Sequence, residues 1–182
     1  MRYLICPTLS VWLLCTMCCA EAADWTGFRG PRGSAISDAK ELPVKWSSKE
    51  SIVWKTALPG PGTSSPIVLG KSVYLTCYSG YGLKPNEGDA KDLQRHVLCV
   101  DRETGKVRWK QTFEPVLPES TYRGGNSSRH GYASSTPATD GERLYVFFGK
   151  SGVYCLDLKD GKQVWQADVG RRTLVWDHRI RR

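Results

Sequence analysis

Short apolar runs separated by glycine-containing turns dominate residues 65–165 and predict strands. Two stretches share one internal order. Each opens on a Ser/Thr-Pro start (Ser65-Pro66; Thr136-Pro137), turns at Gly70 or Gly141, and continues as an apolar strand (Val73–Cys77; Leu144–Phe148). A strand ending in aspartate follows (Val97–Asp101; Val153–Asp157), then a Gly-Lys turn and a strand ending near a tryptophan. Ile52-Val53-Trp54-Lys55 reads as the last strand of a preceding unit.

The self-similarity is ungapped at its core. Residues 99–109 and 155–165 both fit Cys-apolar-Asp-x-x-[Thr/Asp]-Gly-Lys-x-x-Trp, 56 residues apart, whereas the Ser/Thr-Pro starts lie 71 apart. The difference of 15 residues places an insertion in the first unit, assigned to the Gly- and charge-rich residues 79–95. Four short strands joined by tight turns make one propeller blade. The expectation is an all-β chain: a partial β-propeller of four-stranded antiparallel blades. The 148 residues from 23 to 170 hold two to three of them, at about 40–56 residues each. Residues 23–50 form an N-terminal lead and 51–170 the repeats.

The repeated residues read as structural. Asp101 and Asp157 are placed to accept hydrogen bonds from turn N–H groups. Gly105 and Gly161 supply a positive φ, and Lys106 and Lys162 keep the rim wet. Trp109 and Trp165 bury large flat surfaces between adjacent blades. Cys99 and Cys155 share a strand register, as small buried apolar residues rather than reactive thiols.

Charge changes the picture only at the end of the chain. The net charge is +8, of which Arg171, Arg172, Arg179, Arg181 and Arg182 against Asp177 place +4 in residues 171–182. Elsewhere basic and acidic residues are interspersed, which is a solvated surface and not a nucleic-acid stripe. The N-terminus reads as a signal peptide over 1–22. Arg2 precedes an uncharged stretch from 3 to 20, and Ala20-Glu21-Ala22 is a small-x-small site with cleavage before Ala23. An uncleaved anchor is the alternative, against which Pro7, Thr8, Ser10 and Thr16 count. A lipoprotein site is disfavoured by Met17 and Cys18 where a small residue belongs. Cys6, Cys15, Cys18 and Cys19 leave with the signal. Cys77, Cys99 and Cys155 support neither a disulfide framework nor a zinc site.

The Asp-x-x-[Thr/Asp]-Gly-Lys-x-x-Trp unit resembles quinoprotein-like (PQQ-like) propeller repeats. That family includes pyrroloquinoline-quinone alcohol dehydrogenases and the outer-membrane protein assembly factor B of the β-barrel insertion machinery. Trp25-Thr26-Gly27-Phe28-Arg29-Gly30-Pro31-Arg32-Gly33, with Ser64-Ser65-Pro66 and His130-Gly131-Tyr132-Ala133-Ser134-Ser135-Thr136-Pro137, is similar to exported planctomycete-type members. The resemblance covers 23–170 and implies a fold shared by enzymes, assembly factors and binding modules. After Gly170 a third unit is due, and a basic run stands in its place. A frameshifted or truncated reading frame, leaving an N-terminal fragment of a propeller, is the expectation, with a natural basic tail as the alternative. A ring needs about four to eight blades, so the isolated chain is expected to be marginal, aggregating or partnered.

A quinoprotein enzyme would need a quinone, a Ca²⁺ with oxygen ligands and an aspartate base. The adjacent pair Cys18-Cys19 lies in the export signal, and no carboxylate stands in a metal-ligand pattern. Catalytic, cofactor and metal residues are therefore expected to be none. A speculative ligand mouth is placed at Asn126 and His130, in a loop entering a blade, against a plain surface histidine. Asn126-Ser127-Ser128 also fits a glycosylation sequon. His96, ahead of a strand, reads as structural, and His178 receives no role. Ser64, Ser65, Ser134 and Ser135 are read as satisfying turn backbone. The expected function is a non-catalytic binding or assembly scaffold, periplasmic, envelope-bound or secreted, with a protein partner and no membrane span after cleavage. The rival is a truncated piece of a quinone-dependent dehydrogenase, with pyrroloquinoline quinone and calcium in a full-length relative.

Overall fold

A computed structural model describes residues 23–40, 42–122 and 130–169. Residues 1–22, for which a signal peptide is expected, Asn126 and the basic run 171–182 lie outside the described residues. Two four-stranded antiparallel meanders form. The first blade comprises β1 (Ile67–Leu69), β2 (Ser72–Ser79), β3 (Gln94–Asp101) and β4 (Val107–Phe113). The second comprises β5 (Ala138–Thr139), β6 (Arg143–Phe147), β7 (Val153–Asp157) and β8 (Gln163–Ala167).

The registers coincide position by position. Ile67 opposes Tyr74 as Ala138 opposes Tyr145, and Ser72 opposes Asp101 as Arg143 opposes Asp157. Cys99 opposes Trp109 and Cys155 opposes Trp165. In both blades the register then slips, so that Val107 opposes Val100 and Gln163 opposes Leu156. This bulge leaves Arg108 or Val164 as the extra residue.

Alternation along each strand sends successive side chains to opposite faces. Tyr74, Tyr78, Val97 and Cys99 on one face of blade one join Leu144, Val146, Phe148, Tyr154 and Leu156 of blade two in one continuous core. Cys77, Leu98 and Val100, on the opposite face, pack with Val73, Leu75 and Trp54. The main core is therefore the seam between the blades.

Three details differ from the sequence reading. The β2–β3 hairpin runs two residues further on β2 and three on β3, pairing Cys77 with His96, Tyr78 with Arg95 and Ser79 with Gln94. The inserted connection is thus 80–93, with a 3₁₀ turn at Ala90–Asp92. The hairpin extends because Tyr78 and Arg95 are themselves buried. Second, Trp109 and Trp165 stand at the third position of β4 and β8 rather than near their ends. Third, Trp54 lies in no strand among the described residues, although its ring is part-buried against blade one. At the N-terminal side, Trp25 exchanges two 2.8 Å backbone hydrogen bonds with Val68, covering the free edge of β1.

Candidate functional site: the blade corners and the seam

The most elaborate polar chemistry lies at the β3–β4 and β7–β8 corners. The chain turns over four residues. Asp101 N–H donates to Lys106 O (2.8 Å) and Gly105 N–H to Asp101 O (2.9 Å); Asp157 and Gly161 repeat both distances with Lys162 and Asp157. Gly105 and Gly161 have φ of 71° and 73°, in the left-handed region that favours glycine.

Each aspartate divides its oxygens. Asp101 Oδ1 accepts from the N–H groups of Glu103 (3.0 Å) and Thr104 (2.8 Å) and from Thr104 Oγ1 (2.9 Å). Its Oδ2 takes Arg108 Nη2 (2.5 Å) and Nε (3.2 Å). Asp157 Oδ1 accepts from Lys159 N–H (2.8 Å), and its Oδ2 takes Arg143 Nη1 (2.9 Å). The guanidinium comes from β4 in one blade and from β6 in the other, yet reaches the same oxygen. Bonds from Arg108 and then from Thr104 hold the Asp101 carboxyl well below the usual carboxylate range. These carboxylates are committed to the corners. Lys106 and Lys162 sit on the exposed rim of the same turns.

The glycines have a second reason to be glycine. A Cβ on Gly161 would stand 2.5 Å from the Trp109 ring, and one on Gly105 would stand 2.6 Å from the Trp54 ring. The indole Nε1–H of Trp109 donates to Leu158 O (3.1 Å), and that of Trp54 donates to Arg102 O (2.8 Å). Each tryptophan lies flat on the turn of the following unit. Trp165 has no such cover among the described residues and is 44 % exposed.

At the opposite end of the blades a buried ion pair pins four segments. Arg95 Nη2 donates to Glu119 Oε1 (2.8 Å), with side chains only 4 % and 5 % exposed. Arg95 Nε donates to Tyr132 O (3.0 Å) and Nη1 reaches Ser151 Oγ (3.5 Å). Its guanidinium lies 5.9 Å from the Tyr132 ring centroid and 5.8 Å from that of Phe148. Tyr132 also meets Tyr78, Tyr81 and Tyr122, and burial pushes its hydroxyl above its ordinary range. Sequence reasoning missed this cluster. His130 is exposed at the edge of the same loop, its carbonyl accepting from Thr63 Oγ1 (2.8 Å).

The serines at the strand starts differ from one another. Ser64 Oγ bridges the N–H and C=O of Thr76 (3.2 Å each), and Ser65 N–H donates to Thr136 Oγ1 (3.0 Å).

His96 lies inside β3, not ahead of it, and is 2 % exposed. Its Nε2 is 2.8 Å from Ser79 Oγ and its Nδ1 3.0 Å from Thr112 Oγ1. Burial, and then the charge of Lys110, lower its pKa from the ordinary 6.5. The unfolded chain therefore binds the extra proton first. The His96 contribution to stability is complete above about pH 6.5 and is lost as pH falls toward the lowered folded value. Chemical denaturation midpoints measured from pH 8 to pH 5 are expected to fall, and His96→Gln to flatten that fall. An unchanged slope in the variant would contradict the assignment. Asp101 does not interfere, because its depressed folded pKa makes its contribution disappear only below about pH 3.9.

Cys77, Cys99 and Cys155 are free and buried, and burial pushes all three thiols up. Alkylation at neutral pH is expected to be slow in the folded protein and fast in denaturant. Rapid labelling of the native chain would contradict their packing role.

Among the described residues no three His, Cys, Asp or Glu side chains are grouped to hold a metal. The corner carboxylates are already engaged by turn N–H groups and arginines.

Two successive blades locked by tryptophan on glycine define a β-propeller repeat protein. A family pattern described as outer membrane protein assembly factor BamB matches residues 33–173. The chain belongs to that PQQ-like repeat family. No curated protein matches it.

Proposed function

We propose that this chain is an exported, non-catalytic binding or assembly scaffold of the cell envelope, with a protein as its partner. One observation carries the reading. The conspicuous titratable groups of both blades, Asp101, Asp157, His96, Arg95 and Glu119, are consumed by the fold. What remains for recognition is surface: the loops at the Arg95 end, where His130 is exposed. The family's description as an outer membrane assembly factor supports an envelope location. Among the described residues no helix is long and apolar enough to cross a membrane.

The test joins location, partner and chemistry. A photo-crosslinking residue at position 130 is expected to capture an envelope protein in the envelope fraction of its host. Titration of the full chain with pyrroloquinoline quinone and Ca²⁺ is expected to give neither binding heat nor dye-linked alcohol oxidation. Quinone-dependent alcohol oxidation would overturn the reading in favour of a dehydrogenase piece.

A further inference from the structure

Residues 54–62 form no strand or helix, yet they are fastened to blade one at both ends. At the β3–β4 corner Trp54 Nε1–H donates to Arg102 O and Thr56 Oγ1–H to Gly105 O. At β2 the Tyr78 N–H donates to Pro61 O (2.9 Å), and Gly60 gives the Cys77 thiol a backbone hydrogen bond. Gly60 comes so close that a Cβ there would stand 2.1 Å from Tyr78 O and 3.6 Å from Ser79 Cα. Between the two fastenings Ala57, Leu58 and Pro59 are exposed.

Alternation puts Cys77 and Ser79 of β2, His96, Leu98 and Val100 of β3, and Lys110 and Thr112 of β4 on the face of blade one turned away from the seam. Trp54 covers the apolar part of that face. His96 stands opposite Cys77, both are buried, and the His96 ring is held by the hydroxyls of Ser79 and Thr112. Those hydroxyls can accept from a protonated imidazole, but they do not neutralise it. The charge that bears on the ring is Lys110, of the same sign. Residues 54–62 add Lys55 and no acid. A cation at His96 would therefore be buried without a counter-charge, which favours any opening that hydrates it.

We propose that residues 54–62 are an acid-sensitive strap: protonation of His96 lifts the strap from blade one and bares Cys77, while the seam between the blades stays closed. The strap is the element that yields, because a handful of hydrogen bonds fasten it. The β2–β3 ladder has eight paired positions and the seam is the main core, and opening takes the cheapest local route. The direction follows from linkage. In the open state His96 returns to its ordinary 6.5, above its value beneath the strap. Opening is therefore independent of pH well above 6.5 and increases below it, by at most about thirtyfold at pH 5.

Thiol labelling of the full chain with dithiodipyridine, which reacts in acid, tests this cysteine by cysteine. Protection is taken as the rate in the denatured chain over the rate in the native chain at the same pH, so the intrinsic chemistry of the thiol cancels. Between pH 8 and pH 5 the protection of Cys77 is expected to fall at least fivefold, and that of Cys99 in the seam to stay constant. His96→Gln is expected to remove the fall. Should that variant fail to fold, hydrogen exchange of the Tyr78 amide, whose acceptor lies on the strap, is compared in the wild type with amides inside β3, and only the first is expected to lose protection in acid. Thr56→Val, which cuts one fastening, is expected to lower Cys77 protection at both pH values. Constant protection of Cys77 overturns the proposal. So does a parallel fall at Cys77 and Cys99, which would mean that the whole blade opens, or an undiminished fall in His96→Gln.

Discussion

Arg95→Met is expected to cost about 3–5 kcal/mol of folding stability, because it leaves Glu119 charged, buried and without its cation. A domain of this kind has about 5–15 kcal/mol in all, so the variant is expected to be largely unfolded at modest urea concentrations. The size follows from burial, since both side chains are almost fully enclosed and screening by solvent does little. The loss extends beyond one pair. Arg95 also ties the Tyr132 carbonyl of the incoming loop and Ser151 of the β6–β7 connection to β3. Removing the partner charge as well separates pairing from packing. Arg95→Met combined with Glu119→Leu is expected to regain most of the loss, because an apolar pair of similar volume is often neutral or better. Urea midpoints of the two single variants and the double variant are the check. A single variant within about 1 kcal/mol of wild type would contradict the buried pair.

The second large effect belongs to Trp109. Trp109→Ala is expected to cost about 3 kcal/mol, the lower end of the range for removing a large aromatic, because the ring is part-buried. It removes the ring from Gly161, the bond to Leu158 O and the contact with Tyr74 together. Gly161→Ala attacks the same contact from the other side. It places a Cβ 2.5 Å from the ring and forces a non-glycine residue to φ 73°. The two costs are not additive. With the ring gone only the backbone strain remains, so Gly161→Ala is expected to cost less in the Trp109→Ala background than in wild type. Additive losses would mean that the glycine serves its turn alone.

Much of this architecture was legible in the repeat. Aspartate, glycine, lysine and tryptophan at fixed spacing fixed the corner, because a four-residue turn with one left-handed residue permits few alternatives. The Trp–Gly stacking was half legible. Trp54 precedes Gly105 by 51 residues and Trp109 precedes Gly161 by 52, so the spacing was present, but it links one unit's strand to the next unit's turn. The arginine partners were hidden because Arg108 aligns with Val164 and Ser72 with Arg143. The pairing survives in both blades while the residue that makes it moves from β4 to β6.

Arg95 and His96 were lost for a related reason. They align with Ser151 and Gly152, so comparing the two units assigns them to an insertion or to its margin. Their roles appear only when β2 and β3 extend and bring Ser79, Thr112, Glu119 and Tyr132 around them. The repeat position of Trp54 predicts a strand, and the structure forms none there among the described residues. Pairing requires a neighbouring strand on its own sheet, and the described residues supply none there.

The central claim is that Trp54 and Trp109 are each seated on the glycine corner of the unit that follows, and hydrogen exchange of the indole N–H groups tests it in the unaltered protein. The account expects slow exchange at Trp54 and Trp109, whose donors are bound to Arg102 O and Leu158 O, and fast exchange at the exposed Trp165. Equal rates at all three, or fast exchange at Trp109, would contradict it.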